Sequence, residues 1–338
     1  KDDDLVVGTH GRSFWILDDI TPLRQAKKEM AAQTVLYQPQ TAMRIRWNMN
    51  PDTPLPQEEP AGENSPDGAV IDYYLKSDAK EVSLEILTDK NEVIRKYSSN
   101  DKPYAIPELN IPLYWIRPQQ ILSAAKGHHR FLWDVKYQPL NVEVSFPMSA
   151  IYQNTAPEPT APWAMPGNYQ VRLVVDGQSY VQKFVLKMDP RVQTTTSQLH
   201  EQFDLSMICY NGRKVVVEAL NSVSVWENQL NQVKATGSLE KSIHEFITKI
   251  NSLKGAGGWW TDPNSNSLNG VATKCDQVFG ILQGTDMPVT SQARSAVKDI
   301  EPSVQKIAET WKKFLSVELP KINSSLKSKG IQLNYPNK

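Results

Sequence analysis

The sequence predicts a multidomain β-plus-α protein: a short terminal β-hairpin, a β-sandwich and a C-terminal antiparallel four-helix bundle. Three observations carry this. Between residues 68 and 188, apolar and polar residues alternate in short runs broken by turn residues, the period-2 pattern of strands with one buried face. Asp176-Gly177 joins the last two runs, and both residue types tolerate the positive φ that a two-residue hairpin turn needs. After Asp189-Pro190 the period changes, and apolar residues recur at alternating four- and three-residue spacing over four segments.

The first twenty residues organise the reading. Two apolar runs, Leu5-Val6-Val7 and Phe14-Trp15-Ile16-Leu17, flank the turn-prone Gly8-Thr9-His10-Gly11. An isolated hairpin buries too little surface to be stable alone. The chain also opens in mid-pattern, so residues 1–20 are expected to be the end of a larger β structure. Residues 21–67 then read as a connector. Thr21-Pro22-Leu23 starts a short helix with Pro in its first turn. Residues 34–37 are extended. Met43, Ile45 and Trp47 alternate with Arg44 and Arg46, as in a half-buried strand. Residues 48–67 hold five prolines and form a loop or crossover, because Pro lacks the N–H of a ladder.

Residues 68–188 form the sandwich, with strands at 69–75, 81–87, 92–97, 130–136, 168–175 and 179–187 and Pro-rich inserts at 98–125 and 139–166. Six or so strands at this spacing suggest a β-sandwich, with Trp133 as a core anchor. Residues 189–338 form the bundle and a C-terminal tail. The first helix, 194–233, is capped by Thr194, Thr195, Thr196 or Ser197, with Glu201 in its first turns, Gly212 as a weak point and Gly237 as its end. The second, 238–254, stops at Gly255-Ala256-Gly257-Gly258. The third spans 267–283. The fourth spans 290–328 and is kinked or divided by Pro302 and Pro320. Short links between four amphipathic helices give an antiparallel bundle.

Composition excludes several classes of function. The 37 basic and 37 acidic residues balance, which gives no electrostatic case for nucleic acid. No apolar run approaches the length of a membrane span. Two cysteines do not make a disulfide scaffold.

Asp4-Leu5-Val6-Val7-Gly8-Thr9-His10-Gly11-Arg12-Ser13 followed by Trp15-Ile16-Leu17-Asp18-Asp19 resembles the final propeller strands of large bacterial sortilin-like proteins with BNR repeats, often labelled "glycosyl hydrolase, BNR repeat". Residues 129–135, 166–173 and 187–192 extend the resemblance to the region after the propeller. It implies terminal propeller strands (1–20), an immunoglobulin-like or fibronectin-III-like sandwich (68–188) and then helices. It also implies export to the periplasm or cell surface. Its glycosidase label rests on propeller similarity, and a fold does not imply a function.

The candidates for chemistry each have a structural alternative. Trp259 and Trp260 lie in a loop rich in Gly, Asn and Asp, where aromatics stack on sugars or anchor a partner, or else fold back on the bundle. Cys209 and Cys275 fall at core phases of two helices, as a disulfide or as two reduced core thiols. His10 is a loop ligand or acid/base, or a turn residue bonding backbone. Asp18 and Asp19 are neighbours in a strand and so face opposite ways, which suits a glycosidase pair poorly. Asp2, Asp3 and Asp4 read as a solvated turn, and Glu58, Glu59 and Asn64 as a solvated loop or oxygen ligands for a hard cation. His128 and His129 also face opposite ways, and His200 and His244 stand on separate helices, so no metal set forms. No P-loop, G-x-S-x-G, H-E-x-x-H or C-x-x-C is present. The expectation is therefore a region with no catalytic, cofactor or metal residues. It would act as a structural or protein-interaction part of a propeller protein, its partners being the rest of that propeller and a protein or glycan at the cell surface. The alternatives are an accessory part of a carbohydrate-active hydrolase and a carbohydrate-binding module.

Overall fold

The computed structural model describes residues 3–27, 32–46, 68–146 and 155–335. The expected loop of residues 48–67, with Glu58, Glu59 and Asn64, lies outside them, as do Asp2 and Trp47. N-terminal β-sheets are followed by four long helices that pack together. The chain divides into a sheet-bearing unit (residues 1–139 and 143–193) and a helical unit (residues 140–142 and 194–338).

The sheet-bearing unit begins with strands β1 (Leu5–Gly8) and β2 (Phe14–Leu17), paired antiparallel as two apolar runs around a turn predict. Helix α1 (Thr21–Gln25) carries Pro22 at its start. A three-stranded sheet then joins β3 (Val35–Leu36), β5 (Ala69–Leu75) and β8 (Gly127–Trp133). A five-stranded sheet runs in the order β4 (Ala42–Arg44), β10 (Gln178–Met188), β9 (Gly167–Val175), β6 (Val82–Thr88), β7 (Val93–Ser98). The inner faces of both sheets share one core, with Ile71, Tyr73, Phe131 and Trp133 from the first and Leu84, Ile86, Val171, Leu173 and Phe184 from the second. Trp133 is fully buried. Its Nε1–H donates to the Lys136 carbonyl at 2.9 Å, and its rings meet Tyr169 and Phe184 at 5.5 and 6.0 Å.

The turn at Asp176-Gly177 has φ of 48° and 87°, as the sequence requires, and Gln178 pairs with Val175 across it. The Asp176 carboxylate also accepts from Lys80 and Glu81 N–H, which ties this hairpin to the start of β6.

Two strands differ from expectation. β8 lies three residues earlier than the predicted 130–136, because the chain turns at Val135 (φ 57°) and Gly127–His129 pair with β5 instead. In β4 the alternation holds but its sense is reversed: Ala42 and Arg44 are buried while Met43 and Ile45 are exposed. Arg44 tolerates burial because its Nη1 donates to the Ala164 carbonyl at 3.1 Å and its guanidinium lies 5.7 Å from the Trp163 ring centroid.

The helical unit contains α2 (Thr196–Asn231), α3 (Ser238–Lys254), α4 (Leu268–Gln283) and α5 (Ser291–Leu326). Thr195 and Gln198 form a capping box on α2, and Ser267 and Thr290 cap α4 and α5. Glu201, in the first turns of α2, pairs with Arg294 of α5 at 2.6 Å. Gly237 does not end α2. It stands at φ 64° as the residue before α3. α5 runs undivided through Pro302 and Pro320, held by buried Val297, Ile300, Ile307 and Trp311 around the first and by Leu319 and Ile322 beside the second. Gly212 is a packing requirement rather than a weak point, since a Cβ there would meet Val304 of α5 at 2.7 Å.

At the other end of α2 a buried polar chain fixes the α4–α5 link. Gln202 donates to the Thr285 carbonyl, Ser206 to the Gln202 carbonyl, and Gln283 to Ser206 Oγ. An aromatic cluster of Trp226, Phe246, Trp311 and Phe314 fills the opposite end, closed by Tyr335 of the returning tail.

Gly68 opens β5 at φ 103°, where a Cβ would lie 2.0 Å from the Trp133 carbonyl oxygen. Gly68→Ala is expected to destabilise the sheet-bearing unit by roughly 3 kcal/mol through backbone strain and the displaced carbonyl. Urea-dependent hydrogen exchange at the amides of β5 and β8 measures this.

Candidate interaction surface

The hairpin is the part of the sheet-bearing unit whose chemistry is least compatible with its surroundings. Its register pairs Leu5 with Leu17, Val6 with Ile16, Val7 with Trp15 and Gly8 with Phe14. Side chains alternate across a strand. One face therefore holds Leu5, Val7, Trp15 and Leu17, and the other holds Val6, Phe14 and Ile16. Every one of these is exposed, Phe14 at 79% and Trp15 at 65%. A strand pair apolar on both faces is the composition of a strand covered on both faces. Neither strand pairs with a third among the described residues, so both edges also present free backbone groups. Burying seven such side chains is worth on the order of 10 kcal/mol before ordering costs.

The hairpin is itself well formed. Thr9 N–H and Oγ1–H both donate to the Ser13 carbonyl, and Gly11 and Ser13 take φ of 79° and 62°. His10 sits exposed in this turn.

Its base is fixed by acidic residues acting through hydrogen bonds. Asp4 Oδ1 accepts from Asp19 N–H at 3.0 Å, Asp3 carbonyl accepts from Ile20 N–H at 2.7 Å, and Asp3 pairs with Arg24 at 3.0 Å. Asp19 Oδ1 accepts from Thr21 N–H and from Gln40 Nε2. The Asp18 and Asp19 carbonyls accept from Arg130 at 2.6 and 2.7 Å. Asp3 and Asp4 of the charge run and Asp19 of the adjacent pair therefore hold the hairpin base, to which Asp18 lends its backbone carbonyl.

Arg130 and its partner Asp72 were missed by sequence reasoning. The two stand directly opposite in register, with Nε–Oδ1 and Nη2–Oδ2 both 3.1 Å. Burial pushes the Asp72 carboxyl up from its usual range, and the Arg130 bond and charge and then His128 pull against it. His128 Nε2 lies 3.9 Å from Asp72, and His129 faces the other way, its Nε2 2.6 Å from the Ala125 carbonyl. The signal was an acidic residue inside an apolar strand, between Ile71 and Tyr73; the register that gives it a cation appears only on pairing.

The remaining candidates are dispersed. Trp260 is 87% exposed in the 3-10 turn Gly258–Trp260, while the Trp259 side chain lies outside the described ones. That turn is pinned by Thr261 Oγ1, which donates to the Ala256 and Gly258 carbonyls. His200 and His244 are exposed on α2 and α3. Among the described residues no three metal-ligating side chains gather, and no helix is long and apolar enough to cross a membrane. An open depression of about 360 Å³ beside β9 and β10 has one carboxylate in its lining, Asp89.

Cys209 and Cys275 are buried free thiols, on α2 and α4. Burial pushes each up to about 12. No protein-family model matches the chain, and no curated protein matches it.

Two outcomes are expected. First, a hairpin with two free edges self-associates: sedimentation velocity at micromolar concentration shows oligomers, and Val6→Glu with Ile16→Lys, an opposite-charge cross-strand pair, restores the monomer. Second, the folded state holds both thiol protons above the unfolded pKa near 9, so this stabilisation is present below pH 9 and is lost as pH rises towards 12. A thiol reagent at pH 8 then titrates no cysteine in the native protein and two after unfolding; none after unfolding would reveal a disulfide.

Proposed function

We propose that this chain is a non-catalytic structural and interaction region of an exported propeller protein with BNR-type repeats. In this reading the hairpin Leu5–Leu17 completes a propeller. The paired sheets are an immunoglobulin-like sandwich and the helices an antiparallel bundle, and together they brace the propeller or offer a docking surface at the cell surface or in the periplasm. The observation that carries it is the hairpin, formed and anchored yet apolar and open on both faces. Surface of this kind marks an interaction site. The resemblance of residues 4–19 to terminal propeller strands supplies the identity of the cover.

Intact mass and hydrogen exchange on the protein purified from its natural source test this. The expected result is a chain several hundred residues longer with the amides of residues 5–17 strongly protected. A protein that starts at Lys1 with those amides exchanging freely overturns it.

A second reading, a carbohydrate-binding module, is favoured by Trp260 on its pinned turn. Titrating the chain with oligosaccharides while following tryptophan emission separates the two. An emission change abolished by Trp260→Ala supports the module, and the first reading expects none.

A further inference from the structure

Asp72 occupies a position that should be wet. Along β5, Ala69, Ile71, Tyr73 and Leu75 belong to the core, so Val70, Asp72 and Tyr74 point to the opposite face of the three-stranded sheet. Its side chain is nevertheless only 3% exposed. The groups around it are Arg130 and His128 of β8, Tyr37, and Asp19 at the base of the hairpin. The N-terminal arm thus lies against this face, and Arg130 joins it to the sheet. One guanidinium grips the Asp72 carboxylate with two N–H groups and the consecutive carbonyls of Asp18 and Asp19 with two more contacts.

We infer that Arg130 is a latch that sets the direction in which the hairpin leaves the sheet-bearing unit. The other ties at the hairpin base do not do this. The bonds from Asp3 to Ile20, Asp4 to Asp19 and Asp3 to Arg24 lie within the arm and would turn with it. Gln25 and Gln40 also tie the arm to residues 38–40, next to Tyr37, whose N–H donates to the Asp72 carbonyl, but they do so through neutral amide side chains. Arg130 alone among these contacts starts from the three-stranded sheet, on its edge strand β8, and ends on the residues that directly follow β2. Its planar fork makes this possible, since it presents donors to a carboxylate on one side and to two carbonyls on the other. A lysine would keep a charge for Asp72 but could not span both. The purpose of the latch, presenting the hairpin to a partner, rests on the function proposed above; the latch itself does not.

The test is a distance measurement by pulsed electron-spin resonance between nitroxides at His10→Cys in the hairpin turn and Lys183→Cys on β10. The buried Cys209 and Cys275 stay unlabelled in the folded protein. The labelled protein is diluted with unlabelled protein so that only distances within one chain report, and the wild-type background is then expected to give one narrow distance distribution. Arg130→Lys, and separately Asp72→Asn with Arg130→Gln, which removes both charges together, are expected to broaden it at least twofold. The circular-dichroism melt of Arg130→Lys should stay within a few degrees of wild type. A distribution equally narrow in both variants overturns the latch, whatever the hairpin proves to bind. Loss of self-association with an unchanged distance would leave the hairpin as an interaction surface and remove Arg130 from it.

Discussion

The Asp72–Arg130 pair joins three levels of the sheet-bearing unit. As a cross-strand pair it fixes the register of β5 against β8. A slip of one residue would turn Phe131 and Trp133 out of the core and leave a carboxylate with almost no water and no cation. Removing Arg130 would leave the Asp72 carboxylate buried without its guanidinium, whereas removing Asp72 leaves an arginine that still reaches water. The same guanidinium then holds the exit of the hairpin. A related arrangement recurs on the five-stranded sheet, where Glu85 is bonded by Arg172 of β9 and paired with Lys96 of β7, each directly opposite it in register. Both sheets thus use ion pairs across strands on the face away from the core. Apolar contacts alone would not distinguish one register from another there.

The helical unit is organised by size and polarity rather than charge. Gly212 brings α2 against Val304 and near Cys275, an approach that a larger residue would block. The Gln202–Ser206–Gln283 chain then satisfies buried polar groups where the α4–α5 link crosses α2. At the other end Trp226 stacks on Trp311, and its Nε1–H donates to the Asn334 carbonyl. Asn323 brackets Leu333 through both its backbone groups. The tail is therefore part of the core, with Leu333 1% exposed. No periodicity could have announced that, since the segment is too short to show one.

Much of this fold was legible in order. Strand β6 follows from the alternation of Val82, Leu84 and Ile86, β9 and β10 from the Asp176-Gly177 turn, and α3 from Ile243, Phe246 and Ile250 ahead of Gly255. Alternation states that two faces differ but not which is inside. β4 shows this, since Arg44 is buried beside Ala42 while Met43 is exposed. Of the candidate site, the exposed apolar hairpin was legible as a strand pair in need of a cover. Its anchor was not, because Arg130 and Asp72 are 58 residues apart and no local spacing links them. The core phase of the two cysteines and the opposite facing of the His pair were readable from periodicity, while their partners came with the packing.

The sequence alone determined the order and kind of the elements: a hairpin too apolar to stand uncovered, strands with one buried face, then four amphipathic helices. These follow from local periodicity and turn chemistry, which act over a few residues. The tertiary structure decided which charges are buried together, which face of an edge strand points inward, how the hairpin is tied to the sheet and how the tail closes the helices. Each of those depends on contacts between residues tens of positions apart, whose energies exist only once the chain has brought them together.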